Sequence, residues 1–136
     1  MPFAHSIESR SRLGWLILRL TLAGLIAAHG WARWLAGAVP PFGVFLESQG
    51  FPAGFAWAIA VTSIEIVGSL LLAAGRLVVP LTLVYSAIYA LGIVLVHAKS
   101  GWFVVGLGRN GAEFSVLLII CLLMTGLQHA RFRSSA

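Results

Sequence analysis

Long apolar stretches alternate with short polar ones along this 136-residue chain. A helix crossing the hydrocarbon core of a bilayer needs about 20 mostly apolar residues, each rising about 1.5 Å. Four stretches approach that requirement: residues 13–29, interrupted by Arg19; 55–74, interrupted by Glu65; 77–96, with no charge; and 111–127, with Glu113 near its start. The pattern predicts an all-α, integral-membrane four-helix bundle, one domain over 1–136. Gly75-Arg76 leaves almost no chain between the second and third spans, which makes them antiparallel neighbours. Pro80 falls in the first turn of the third span, where a missing N–H is harmless. Residues 30–54 carry Trp31, Trp34, Phe42, Phe45 and Phe51, broken by Pro40, Pro41 and Pro52. Aromatic-rich amphipathic segments settle at the headgroup level, so an interfacial or shallow re-entrant segment is expected here. Residues 99–110, with Gly101, Gly106 and Gly108 beside Trp102-Phe103, form the other loop of this type.

Composition narrows the class. Apolar and aromatic residues make up 60%, charged residues 10%, and mean hydropathy is +0.97. Soluble domains carry roughly 25% charged residues, and disordered chains are more polar still. The net charge of +5 is scattered singly between apolar runs, which argues for headgroup contact and membrane orientation rather than nucleic acid. Arg10, Arg12, Arg76, Arg131 and Arg133 fall on one side of the predicted topology, and Arg33, Lys99 and Arg109 on the other. This bias places both termini in the cytoplasm. The single cysteine, Cys121, sits in an apolar run, so no internal disulfide and no Cys-based zinc site is expected. Residues 1–11 are polar and the following run is too long for a signal h-region, which makes it a retained first span.

Charges at membrane depth need partners. Arg19 lies ten residues before His29 and Glu65 ten residues after Phe55, the outer ends of the first two spans. Both groups then sit about 15 Å deep, at one level. The sharpest geometric expectation is an Arg19–Glu65 ion pair. The alternative is that Arg19 snorkels to the cytoplasmic face and Glu65 is protonated. Ala23, Ala27 and Gly30 share a side with Arg19, and Thr62, Gly68 and Ser69 share one with Glu65. Small residues of this kind let helices approach closely.

A second polar layer is expected at the outer rim. His29 and Arg33 follow the first span, His97 ends the third, and Arg109, Asn110 and Glu113 open the fourth, with Tyr85 and Tyr89 beneath His97. Converging imidazoles, a carboxylate and guanidinium groups suit a polar headgroup or proton transfer. Taken singly, each has a structural reading: an interfacial His, packing tyrosines, a carboxylate offsetting its own helix N-terminus. His29 and His97 are of the type that ligates haem, but at span ends their spacing is unconstrained. No Glu-x-x-His or His-x-x-x-His spacing indicates zinc or di-iron, and no nucleotide-binding fingerprint occurs.

In order, the chain carries Arg19-Leu20, Gly30-x-x-Arg33, Gly50-Phe51-Pro52, Glu65-x-x-Gly68-x-Leu70-Leu71-Leu72-x-x-Gly75, His97, Gly101-Trp102-Phe103 and Asn110-Gly111-x-Glu113. This ordered set, over about residues 15–127, resembles the DoxX family of small bacterial membrane proteins, related to the small subunit of thiosulfate:quinone oxidoreductase. Arg33 stands where lysine is common in that family. The resemblance implies a four-helix inner-membrane protein, accessory to or quinone-facing within a membrane oxidoreductase or respiratory complex. The chain has no redox centre of its own, so a quinone is the cofactor this reading brings in and other membrane subunits are the partners. The alternative is a non-catalytic anchoring subunit. A proton path or transporter built on the Arg19/Glu65 layer finds little support without broken helices or a repeat.

Overall fold

The computed structural model describes residues 2–106 and 108–130; Arg131 and Arg133, counted above for orientation, lie outside them. Five helices follow in order: α1 (Pro2–Leu35), α2 (Val39–Ser48), α3 (Gly54–Ala73), α4 (Val78–Leu95) and α5 (Glu113–His129). No strand occurs among the described residues. By length and composition, α1, α3 and α4 suffice to cross a membrane, and α5 is a shorter apolar helix of 17 residues.

The first helix runs past residue 29 to Leu35. Gly30 does not stop it. The stop is Gly37, whose φ of +62° closes a Schellman turn: its N–H donates to Trp34 O, and Ala38 N–H donates to Arg33 O. Gly75, at φ +71°, ends α3 in the same way, with bonds to Leu72 O and Leu71 O. The chain then turns directly into α4. A short 3₁₀ turn (His97–Ser100) and an irregular loop lead from α4 to α5. The carbonyls of Phe103, Gly101 and Trp102 accept the N–H groups of Gly111, Ala112 and Glu113, so backbone donors at the start of α5 are satisfied by the loop.

One core draws on four helices: Leu22, Ala23 and Ile26 of α1, Leu72 of α3, Val78, Leu81 and Tyr85 of α4, and Leu118 and Leu122 of α5. Helix α1 packs along α3, and α4 along α5. Small and hydroxylated residues fill these contacts. Thr62, Ser69, Thr82 and Thr125 are buried. Each returns its hydroxyl hydrogen to a carbonyl of its own helix, at Ala58, Glu65, Val79 and Cys121. That satisfies the donors without a cross-helix partner and leaves a narrow side chain at the interface. Leu13, Leu16, Ile17, Val67, Leu70, Leu83, Leu117, Ile120 and Leu123 face outward. An apolar exterior around a partly polar interior is the arrangement lipid favours and water penalises. A second, smaller core joins α2 to the start of α3 through Val39, Leu46 and Ala58, with Phe42, Phe45 and Phe51 against it.

Candidate functional site

A cavity of about 520 Å³ opens at the α2 end of the molecule, between α1, α2, α3, α4 and the start of α5. Its walls are mainly aromatic and aliphatic. Phe42 and Phe45 of α2 stack with centroids 6.5 Å apart, and Phe51, Trp57, Ile88 and Phe114 continue the apolar surface. Helix α2 presents these rings because Phe42 and Phe45 are three residues apart and so share a face. Its register against α3 is set where Gly43 meets Gly54 without side chains between them, and Glu47 Oε1 accepts the Gly54 N–H at 3.1 Å.

Polar groups gather on one side of this cavity. Arg33 Nη1 donates to Glu65 Oε2 at 2.5 Å and to Thr62 Oγ1 at 3.2 Å, and its guanidinium carbon lies 4.5 Å from the centre of the Phe42 ring. The side chain of Glu65 is 2% exposed and that of Arg33 19%. Only a paired carboxylate is tolerable at such burial. The pair depends on Gly30, where an added Cβ would lie 3.0 Å from Glu65 Cβ and 2.8 Å from Ile66 Cγ1. It also depends on the course of α3, which widens into a π turn over Ile64–Gly68. A π turn inserts a residue into the helical register and loosens the backbone ladder, and such turns occur often at functional sites. Side chains cover the carbonyls there: Tyr85 Oη donates to Ile64 O at 2.7 Å, and Ser69 Oγ to Glu65 O.

The expected Arg19–Glu65 pair is therefore corrected: Glu65 pairs with Arg33. Because α1 continues to Leu35, the residue beside Glu65 is Gly30, and Arg19 lies eleven residues away along the helix, about 16 Å. Arg19 instead reaches His129 of α5, with Nη1 3.0 Å from Nε2. A signal for the true partner was present in the sequence. The apolar pattern passes through Gly30 without a breaker, and the first turn-forming cluster begins at Gly37.

The rim residues divide. His29, Arg33, Tyr89, His97 and Asn110 all border the cavity. The His29 and Tyr89 rings meet edge-on at 6.2 Å, and the Tyr89 hydroxyl is buried with no hydrogen-bond partner. His97 Nδ1 lies 2.8 Å from the Asn110 carbonyl, which can only accept, so Nδ1 carries a hydrogen, and in the neutral ring Nε2 is the nitrogen with the lone pair. Tyr85, Glu113 and Arg109 do not border the cavity. Tyr85 is fully buried and committed to Ile64 O. Glu113 Oε1 accepts the Val104 N–H at 2.9 Å and so holds the loop that contributes Val104 to the cavity wall. Arg109 is exposed. The aromatic wall supplied by α2 was not foreseen, since a run of Phe and Trp between prolines reads equally well as a headgroup anchor.

Chemically, the arrangement is a slot for a flat or ring-bearing apolar molecule with polar groups of its own. Arg33 and Tyr89 supply donors on one side, with the His29 imidazole beside them, and His97 in its neutral ring supplies an acceptor. No group of three His, Cys, Asp or Glu able to hold a metal ion occurs among the described residues.

No curated protein and no solved structure matches the chain. A family model described as DoxX matches residues 14–98, from α1 through α4 to His97 and so across both partners of the buried ion pair and most of the cavity. With its apolar outward faces and its membrane-length helices, this integral membrane protein belongs to the DoxX family.

Proposed function

We propose that the chain is a four-span bacterial inner-membrane protein, with both termini cytoplasmic, that binds a quinone ring in the cavity as an accessory subunit of a membrane oxidoreductase. The observation that carries this reading is the Tyr89 hydroxyl, buried beside an aromatic slot with nothing to accept its hydrogen. An unmade bond there costs about 1–3 kcal/mol, which a ligand carbonyl would recover. The volume of about 520 Å³ lies within the range of small-molecule sites, and the walls suit a ring and its isoprenoid tail. Arg33, held in place by Glu65, keeps a positive charge at the polar side of the slot, where a reduced ring oxygen is stabilised. His97, with its free Nε2 at the mouth, is placed to accept a proton from a hydroquinone. In this reading the chain binds and orients the ring and moves its protons, and a partner subunit exchanges the electrons.

The test is a titration of the purified protein with a short-chain ubiquinone analogue, read by quenching of tryptophan fluorescence through Trp57 in the cavity wall. Tyr89→Phe should weaken binding about three- to tenfold, the value of one neutral hydrogen bond. No quenching in the wild type, or identical affinities for wild type, Tyr89→Phe and His97→Ala, defeats the quinone reading. A partner that co-migrates with a protein unable to bind quinone would favour the anchoring alternative.

A further inference from the structure

A second polar site lies at the opposite end of α1, about 21 Å along the helix from Arg33. It is a cleft of about 200 Å³ lined by Arg12, Trp15, Leu16, Arg19, Gln128 and His129. It is independent of the cavity above. Its charge balance is unusual for a membrane protein, because Arg19 has no carboxylate. Three of the four acidic residues of the chain are engaged elsewhere, Glu47 with the Gly54 amide, Glu65 with Arg33 and Glu113 with the Val104 amide, and the fourth, Glu8, pairs with Arg12 at the exposed rim of this cleft and does not reach Arg19.

What Arg19 has is an imidazole. His129 Nδ1 lies 2.9 Å from the Thr125 carbonyl, so Nδ1 carries the hydrogen. Nε2 is then the acceptor for Arg19 Nη1 at 3.0 Å. This takes one of the five guanidinium donors, and the buried Arg19 Nε has no partner at all. The guanidinium lies against the bare backbone of Gly75 in the α3–α4 turn, where an added Cβ would come within 2.7 Å of Nη1. A partly buried cation with unused donors therefore faces a cleft whose other charged wall is Arg12 and whose apolar wall is Trp15 and Leu16.

We propose that this cleft receives a phosphate group. A phosphate accepts several N–H bonds at once and matches the planar fork of arginine. The ligand's charge compensates Arg19, and Arg12 reinforces it from the exposed rim by exchanging its weak, solvent-exposed pair with Glu8 for the phosphate. Trp15 and Leu16 lie where the glycerol and first acyl carbons of a phospholipid would follow the phosphate, and tryptophan favours that level of the membrane. A lipid headgroup and a soluble phosphate share this chemistry, and the experiment separates them.

The full-length protein is placed in phosphatidylcholine nanodiscs doped with phosphatidylglycerol, and lipids retained on release are counted by native mass spectrometry. In parallel, inorganic phosphate is titrated into phosphatidylcholine nanodiscs by calorimetry. Arg19→Gln should lower the preference for phosphatidylglycerol about tenfold or more, as expected for a charge-assisted contact. Arg12→Gln, an exposed substitution that removes the rim cation and releases Glu8, should lower it less. The same losses seen with inorganic phosphate, without a lipid preference, would assign the cleft to a soluble phosphate. Equal behaviour of wild type, Arg19→Gln and Arg12→Gln toward both probes overturns the proposal. If Arg19→Gln does not elute as the wild type does, Arg12→Gln alone decides. Quinone titration of the same variants should be unchanged, so failure here is distinguishable from failure of the cavity reading.

Discussion

Replacing Arg33 by methionine is the perturbation that most directly probes the centre of this protein. Glu65 is 2% exposed and its carboxylate has no other hydrogen-bond donor: Thr62 gives its hydroxyl hydrogen to Ala58 O, and Ser69 gives its own to Glu65 O. Arg33→Met therefore strands a buried carboxylate, at about 3–5 kcal/mol. The reverse change is milder. Glu65→Leu leaves Arg33 at 19% exposure, still against Phe42 and able to find water or a headgroup, so about 1–3 kcal/mol is expected. Removing both charges replaces the pair with apolar volume, and the double variant should lie within about 1.5 kcal/mol of the wild type. The singles then fail to add by about 2.5 kcal/mol or more. Guanidinium or dodecyl sulfate titrations followed by far-ultraviolet circular dichroism give all four corners of the cycle. Arg19→Met combined with Glu65→Leu is the control, and it should add within about 0.5 kcal/mol. Two results would refute the reasoning: a double variant no more stable than Arg33→Met alone, or coupling between Glu65 and Arg19.

Two further outcomes follow from the packing. Gly68 sits in helical conformation within the π turn, where a Cβ would collide with the Tyr85 hydroxyl. Alanine is the better helix former, so any loss in Gly68→Ala is steric; about 1–3 kcal/mol is expected in the wild-type background and little in a Tyr85→Phe background, which has already given up the bond to Ile64 O, and thermal unfolding checks both. Glu113→Ala removes the acceptor of the Val104 amide, so hydrogen exchange at Val104 should accelerate about tenfold while exchange in α4 stays unchanged.

The membrane-length helices, the short turn at Gly75 and the polar residues of α3 were all legible in the sequence, because each rests on local chemistry. Apolar runs bury themselves in lipid, a glycine at positive φ ends a helix, and Thr62, Glu65, Gly68 and Ser69 stand out against leucine and valine. Which charge meets which was not legible. Counting back from assumed span ends set Arg19 beside Glu65, but the partner is Arg33, about four turns further along α1, and the six residues by which the helix outruns position 29 account for fewer than two of those turns. That difference is decided by contacts between helices. Gly30 continues the helix because Glu65 and Ile66 pack onto its bare backbone, and the π turn at Ile64–Gly68 is held by Tyr85 of another helix. The cavity is likewise a tertiary product. Phe42 and Phe45 read as membrane anchors until α2 folds back over the start of α3, and the solitary Tyr89 hydroxyl acquires meaning only from the space beside it. Sequence alone determined that these helices belong in lipid and that their polar residues need partners; the choice of partner waited on packing, since a burial penalty is set by everything within contact distance and not by position along the chain.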